Sequence, residues 1–363
     1  MRSSNGILAD LLAASLCVGA LAACEAPSDT LVDEPSGASD EESAAQWVDP
    51  EIEPPRCDAL PASVECNAPL AAGVERLCRA GNRQYTIRAG KTYDPCKPSA
   101  LVVDVPTAGE SAGVHLGRES FCMSNLCWMG IGSGWAAESD TPGGAFIVVV
   151  PHGTPARGDE EAKALRDIVS AVKKVANIDA KRVYASGLGA GGDSAYEAAC
   201  RESDVFRGAA TNSAALGCTA LKKPVPAIAF GARGDYNYSR NYAAIENVAK
   251  LNGCKSGPSD WRKFDGESRD PVCRSDRNDP RASIVPCNTV TSAKLQPTLC
   301  KAWTGCKDGT EVVWCDVAPS TDHGARNAAA DAFIVYHNAT NLNTPSVAWR
   351  FFQQFAPQSG AGI

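Results

Sequence analysis

The sequence predicts a disulfide-rich α/β domain of three layers, with helices on both faces of a mostly parallel sheet. Three observations carry that expectation. Short β-branched runs such as Leu101-Val102-Val103-Asp104-Val105 and Phe146-Ile147-Val148-Val149-Val150 show no apolar/polar alternation, so they read as strands buried on both faces. Segments with apolar residues at helical spacing lie between such runs, and strands alternating with helices imply parallel pairing through crossovers. Fourteen cysteines from Cys57 to Cys315, an even number, are best read in an exported chain as disulfides, up to seven.

Export is read from the first residues. Arg2 precedes an apolar run from Leu11 to Ala23, a signal segment over 1–23 that is too short and wrongly flanked for a transmembrane helix. The small residues of Leu21-Ala22-Ala23-Cys24 resemble a lipoprotein cleavage site, making Cys24 the lipid anchor. Glu25 after it points to the outer membrane or cell surface. Ordinary secretory cleavage near the same alanines is the alternative, which leaves the chain extracellular.

Ten acidic residues and no basic one lie between Glu25 and Pro55, among prolines and serines. Such a stretch cannot bury enough apolar surface to fold, so 24–55 is expected to be a solvated acidic tether. It also accounts for the net charge of −7, because the rest of the chain then carries about +3. Without a clustered Lys/Arg stripe this excludes nucleic acid as a partner. Residues 56–363 are long enough for one α/β domain with a sizeable core, expected as a monomer that meets a membrane only through its anchor.

Along that domain, strands are predicted at 101–105 and 146–150, then a helix at 159–175 with Leu165, Ile168, Val169 and Val172 on one face. A strand at 182–186, a helix at 193–200, a strand at 226–230, a helix at 241–251, a strand at 311–317 and a helix at 345–355 follow. Sites in such sheets form beyond the carboxyl ends of the strands, so Pro106, Pro151, Gly189, Gly231 and Pro319 should share one rim. Cys122 and Cys127 are close enough in sequence for a local bridge, and the remaining pairing is open. Close cysteines joined by histidines at ligand spacing are missing, so no metal is expected.

Residues 183–192, Val-Tyr-Ala-Ser-Gly-Leu-Gly-Ala-Gly-Gly, have the punctuation of a nucleophile elbow. That strained strand-to-helix turn needs small residues two before and two after the nucleophile, which Gly187 and Gly191 supply. Gly189 stands at the nucleophile position itself, so the turn exposes only a hydrogen. The same letters spell G-x-G-x-x-G through Gly187, Gly189 and Gly192. No acidic residue follows about twenty positions on, where the chain reads Thr211-Asn212-Ser213, so no dinucleotide or other cofactor is expected.

Several segments in order resemble the secreted polyhydroxybutyrate depolymerase and feruloyl esterase group of α/β-hydrolases. They are Tyr93-Asp94-Pro95-Cys96-Lys97-Pro98 with the strand after it, Ser133-Gly134-Trp135, Ile178-Asp179-Ala180-Lys181-Arg182-Val183-Tyr184 before the elbow, and Gly231-Ala232-Arg233-Gly234-Asp235. Leu251-Asn252-Gly253-Cys254, Asp322-His323-Gly324 and Ala348-Trp349-Arg350-Phe351-Phe352 complete the set, over roughly 84–355. The resemblance implies an α/β-hydrolase fold with Asp235 orienting and His323 acting as general base. Gly189 then replaces the serine that would form an acyl-enzyme. The family's His-Gly pair is here Pro106-Thr107, and a proline has no N–H to offer an oxyanion.

Gly109-Glu110-Ser111-Ala112-Gly113 matches G-x-S-x-G letter for letter, which makes Ser111 a candidate substitute nucleophile with His323 and Asp235. Its context is poor, since Pro106 and Thr107 part it from the strand and Gly117 interrupts the helix that should follow. Ser186 should point into packing and Ser194 should sit on the next helix. His152 is a rim residue, while His115 and His337 have no partner that the sequence names. Two changed parts of the machinery favour a catalytically degenerate esterase-fold domain that binds an ester, aryl or polymer ligand. The alternatives are an active carboxylic ester hydrolase using Ser111 or another non-standard nucleophile, and a purely structural envelope domain.

Overall fold

The computed structural model describes residue 66 and residues 69–116, 118, 121–123, 126–128, 132–232, 235, 237–264, 298–317 and 344–356. The signal segment, Cys24, the acidic tether, His323 and His337 lie outside these residues.

Among the described residues a ten-stranded mixed sheet organises the domain. Its centre is parallel: β6 (Phe146–Pro151), β3 (Ser99–Val105), β7 (Ile178–Leu188), β8 (Ala209–Asn212), β9 (Ala227–Ala232) and β12 (Val312–Val317) lie side by side in that order. Antiparallel strands close both sides. β1 (Glu75–Ala80) and β2 (Arg83–Ala89) extend the β6 side, and β11 (Thr298–Thr304) and β10 (Ser256–Phe264) extend the β12 side. A separate hairpin pairs β4 (Phe121–Met123) with β5 (Leu126–Trp128), placing Cys122 opposite Cys127 in register.

Strand alternation separates two cores. On β3, Leu101, Val103 and Val105 face one cluster while Ala100 and Val102 face the other, and on β6 Ile147 and Val149 oppose Phe146, Val148 and Val150. The first face is covered by α3 (Asp159–Val175), α4 (Ala190–Arg201) and α5 (Tyr238–Leu251). α1 (Ala112–His115), α2 (Gly132–Ser139) and α6 (Thr344–Gln353) cover the second. This is the three-layer α/β architecture that the sequence predicts.

α3 matches its predicted bounds because its charge pattern and its apolar spacing agree. Asp159, Glu160 and Glu161 fill its first turn and Lys173 and Lys174 its last, complementing the helix dipole, while Leu165, Ile168, Val169 and Val172 are buried. α6 seals the second face with aromatics: Phe352 stacks on Tyr184 at 4.1 Å between ring centroids and Trp349 lies 4.3 Å from Phe146. Burying each such ring contributes on the order of 2–3 kcal/mol. The described disulfides are Cys66–Cys78, Cys200–Cys218, Cys254–Cys306 and Cys300–Cys315.

Several elements begin earlier than predicted, β7 and α4 among them. β7 starts at Ile178, where it pairs with Ser99 at the start of β3, and α4 starts at Ala190, directly after Gly189 at the turn. The chain runs from β3 to one side, to β6, and then crosses back to β7 on the other. The β3/β7 boundary is therefore a topological switch point, and its carboxyl end is where an open α/β sheet forms its crevice. Val105 and Gly187 are register partners there, which brings the segment after β3 beside the turn after β7.

Candidate functional site

The turn after β7 is a strand-to-helix elbow, with Gly189 at φ +54° and ψ −119° between the last residue of β7 and the first of α4. Its amide donates to the Asn212 carbonyl at 2.9 Å and its carbonyl accepts from the Asp193 amide at 3.0 Å. The flanking glycines are demanded by packing. A Cβ at Gly187 would overlap the Gly191 carbonyl, and one at Gly191 would overlap the carbonyl oxygens of Val105 and Pro106. At Gly189 the surroundings differ, because among the described residues a Cβ there would meet only side-chain atoms of Thr107, with Oγ1 at 2.9 Å and Cβ at 3.6 Å.

Thr107 belongs to a loop built around buried charge. After β3 the chain folds back so that the Thr107 amide donates to Glu110 Oε2 at 3.2 Å and the Glu110 amide donates to the Thr107 carbonyl at 3.2 Å. The same Glu110 oxygen lies 2.7 Å from His115 Nε2, and Asp104 Oδ2 lies 2.6 Å from His115 Nδ1. All three side chains are fully shielded from solvent. His115 therefore has two carboxylate partners, where the sequence suggested none. Burial disfavours its imidazolium, yet Asp104 and Glu110, one on each ring nitrogen, overcome this and raise the pKa to about 10. His115 is held as a cation between two anions.

Ser111 caps the short helix α1, and its Oγ accepts from the Val114 amide at 3.2 Å. Its φ of −98° and ψ of 161° are extended backbone, unlike the positive φ at Gly189, so the G-x-S-x-G letters around it form no elbow. Ser186 is buried and its hydroxyl accepts from Trp135 Nε1 at 2.9 Å. Ser194 is buried on α4, with its hydroxyl donating to the Ala190 carbonyl at 3.1 Å.

Asp235 follows β9 and is buried. Its Oδ1 accepts from the Asn237 amide at 2.9 Å and its Oδ2 from the Ser213 hydroxyl, while Asn237 Nδ2 donates to the Ser213 carbonyl at 3.2 Å. Ser213 itself directly follows β8, with φ +54°. A cage from two neighbouring strand ends thus fixes the carboxylate. Nearer the elbow, Asp193 in the first turn of α4 takes the Ala215 and Leu216 amides on Oδ1 at 2.7 and 2.8 Å, and burial pushes its carboxyl up.

His152 closes β6, its Nε2 lying 2.8 Å from Thr86 Oγ1. Beside it a groove of about 840 Å³ runs between the β1–β2 turn and α3, lined by Arg83 and Glu161 among others. The sequence marks Thr107 only as part of the changed oxyanion pair and Glu110 only as a motif letter, and it does not reveal the clamp on His115. The signal for the clamp was Asp104, a charge inside an apolar strand run that must find a partner when buried.

No family model matches the chain. It is 30% identical over 124 residues to a bifunctional acetylxylan esterase/xylanase of Neocallimastix patriciarum, a match over 32% of this chain and 18% of that protein. The chain thus spans less than a fifth of that curated relative. Among solved structures it is similar to an acetyl xylan esterase from Aspergillus awamori, at 12% identity and a TM-score of 0.43 over 65% of this chain and 89% of the other. A feruloyl esterase module from Clostridium thermocellum is similar at 13% identity and a TM-score of 0.38, over 49% and 72%.

Proposed function

We propose that this chain is an exported, lipid-anchored member of the polyhydroxybutyrate depolymerase and feruloyl esterase group that has lost the hydrolytic reaction and serves as a surface binding domain. Its ligand is an ester-bearing aryl or polymeric compound, in keeping with the ester-cleaving half named for its curated relative.

The observation that carries this reading is the elbow. Gly189 offers no atom that could form an acyl-enzyme at the turn that joins β7 directly to α4. A second change agrees with it. An oxyanion site in this fold takes an N–H from the residue after the nucleophile and another from the loop after β3. In that loop Pro106 has no N–H, and the Thr107 N–H is directed to Glu110. Asp235 is the retained orienting acid and His323 the retained base of the ancestral triad.

The wild-type chain is expected to show no serine labelling by a fluorophosphonate probe and only background turnover of 4-nitrophenyl acetate. Labelling mapped by mass spectrometry to Ser111 would sink this reading in favour of an active hydrolase with a displaced nucleophile. Cleavage before Cys24 with acylation of that cysteine is the companion expectation, checked by intact-mass analysis of the membrane fraction; soluble chain cleaved at the preceding alanines would replace the anchor with simple secretion.

A further inference from the structure

We propose that the Thr107 hydroxyl has taken over the place of the missing side chain at the elbow, and that it donates a hydrogen bond to the carbonyl oxygen of a neutral, ester-type ligand. The ligand half of this proposal rests on the binding function above; the placement half stands on geometry.

The elbow backbone directs a side chain at position 189 toward Thr107, whose Oγ1 lies 2.9 Å from where that Cβ would sit. A serine hydroxyl lies one bond beyond its Cβ, so the two hydroxyls would compete for the same small volume. Gly189 is what leaves room for Thr107. The threonine is also held in place: its amide and carbonyl both bond to Glu110, which the His115 cation holds from the other side. β-Branching restricts χ1 as well, so the hydroxyl is preorganised. Thr107 is half-buried, and its hydroxyl makes no hydrogen bond among the described residues.

The surrounding charge selects the ligand class. Two carboxylates against one imidazolium leave negative charge behind Thr107, which disfavours a carboxylate there and favours an uncharged carbonyl. The site should hold an intact ester and release the corresponding free acid.

The test is calorimetric titration of the full-length chain with methyl ferulate and with free ferulate. Wild type should bind the ester at least about tenfold more tightly than the acid. Thr107→Val, which keeps the shape and removes the hydroxyl, should weaken ester binding about tenfold, and Thr107→Ser should keep it. Unchanged ester binding by Thr107→Val, or tighter binding of the acid by wild type, overturns the proposal. Placement is tested separately by fluorophosphonate labelling of Gly189→Ser and of Gly189→Ser combined with Thr107→Gly. The double variant should label at least about tenfold faster, because it vacates the volume that a serine needs. A double variant no faster than the single one overturns the placement. A wild-type chain that binds no ester while the double variant labels faster sinks the binding function and leaves the placement standing.

Discussion

Replacing His115 with alanine is expected to destabilise the domain by about 3–5 kcal/mol, measured by urea unfolding at neutral pH. The reason is the charge left behind. Asp104 and Glu110 sit against opposite nitrogens of one imidazole, all three side chains without solvent contact, so alanine leaves two carboxylates buried with no cation between them. The pKa gives a figure of the same size. A shift from 6.5 to about 10 corresponds to roughly 5 kcal/mol of preference for the charged ring in the folded state, at about 1.4 kcal/mol per unit. The sign follows from linkage: the folded value is raised, so the stabilisation is complete below the unfolded value near 6.5 and is lost as pH rises through about 10. Wild-type stability should therefore decline from near neutrality to pH 10, and the alanine variant should lack that component. A loss below about 1 kcal/mol, or the same alkaline decline in both proteins, would show that the clamp does not hold the loop.

The sheet's centre was legible because its strands are buried on both faces. Continuous Val/Ile/Leu runs such as 101–105 and 146–150 have no other comfortable place in a domain of this size. The edges were not legible, for the converse reason. β1 carries Glu75, Arg76 and Arg79 and exposes Leu77, and β10 contains Gly257-Pro258 and two register shifts, features that each mask a strand pattern. β8 is four small or polar residues that form a strand only because β7 and β9 flank them. The site divides in the same way. The elbow showed in the glycine spacing, since its constraint is local. The Ser213–Asp235 contact depends on β8 lying beside β9, and the Thr107–Gly189 contact depends on the crossover that puts β3 beside β7. No local pattern encodes either adjacency. Asp104 was visible as an anomaly within its strand, but its partners come from a loop whose return path only the fold supplies.

Gly191→Ala is expected to destabilise the domain by about 3 kcal/mol or more, whereas Gly189→Ala should cost about 1–2 kcal/mol. Both add one methyl group to the same turn, so the difference isolates what each glycine does. At 191 the new carbon would overlap the backbone oxygens of Val105 and Pro106, atoms that no rotamer change can move, so β3 and α4 would have to part. At 189 it would press on the Thr107 side chain, and it would bear the positive φ that any elbow residue bears. Thermal unfolding should rank them, with a drop about twice as large for Gly191→Ala; about 2–4 °C per kcal/mol is usual for large domains. Equal drops would mean that the β3–α4 approach is looser than this packing requires. Packing then accounts for Gly187 and Gly191, because nothing larger fits between the strand end and the helix. It does not require Gly189, where the backbone leaves space for a side chain and, among the described residues, only the Thr107 side chain contests it. The glycine at the elbow is therefore explained by what stands opposite it, and the reactive position and the loop after β3 have to be read as a single arrangement.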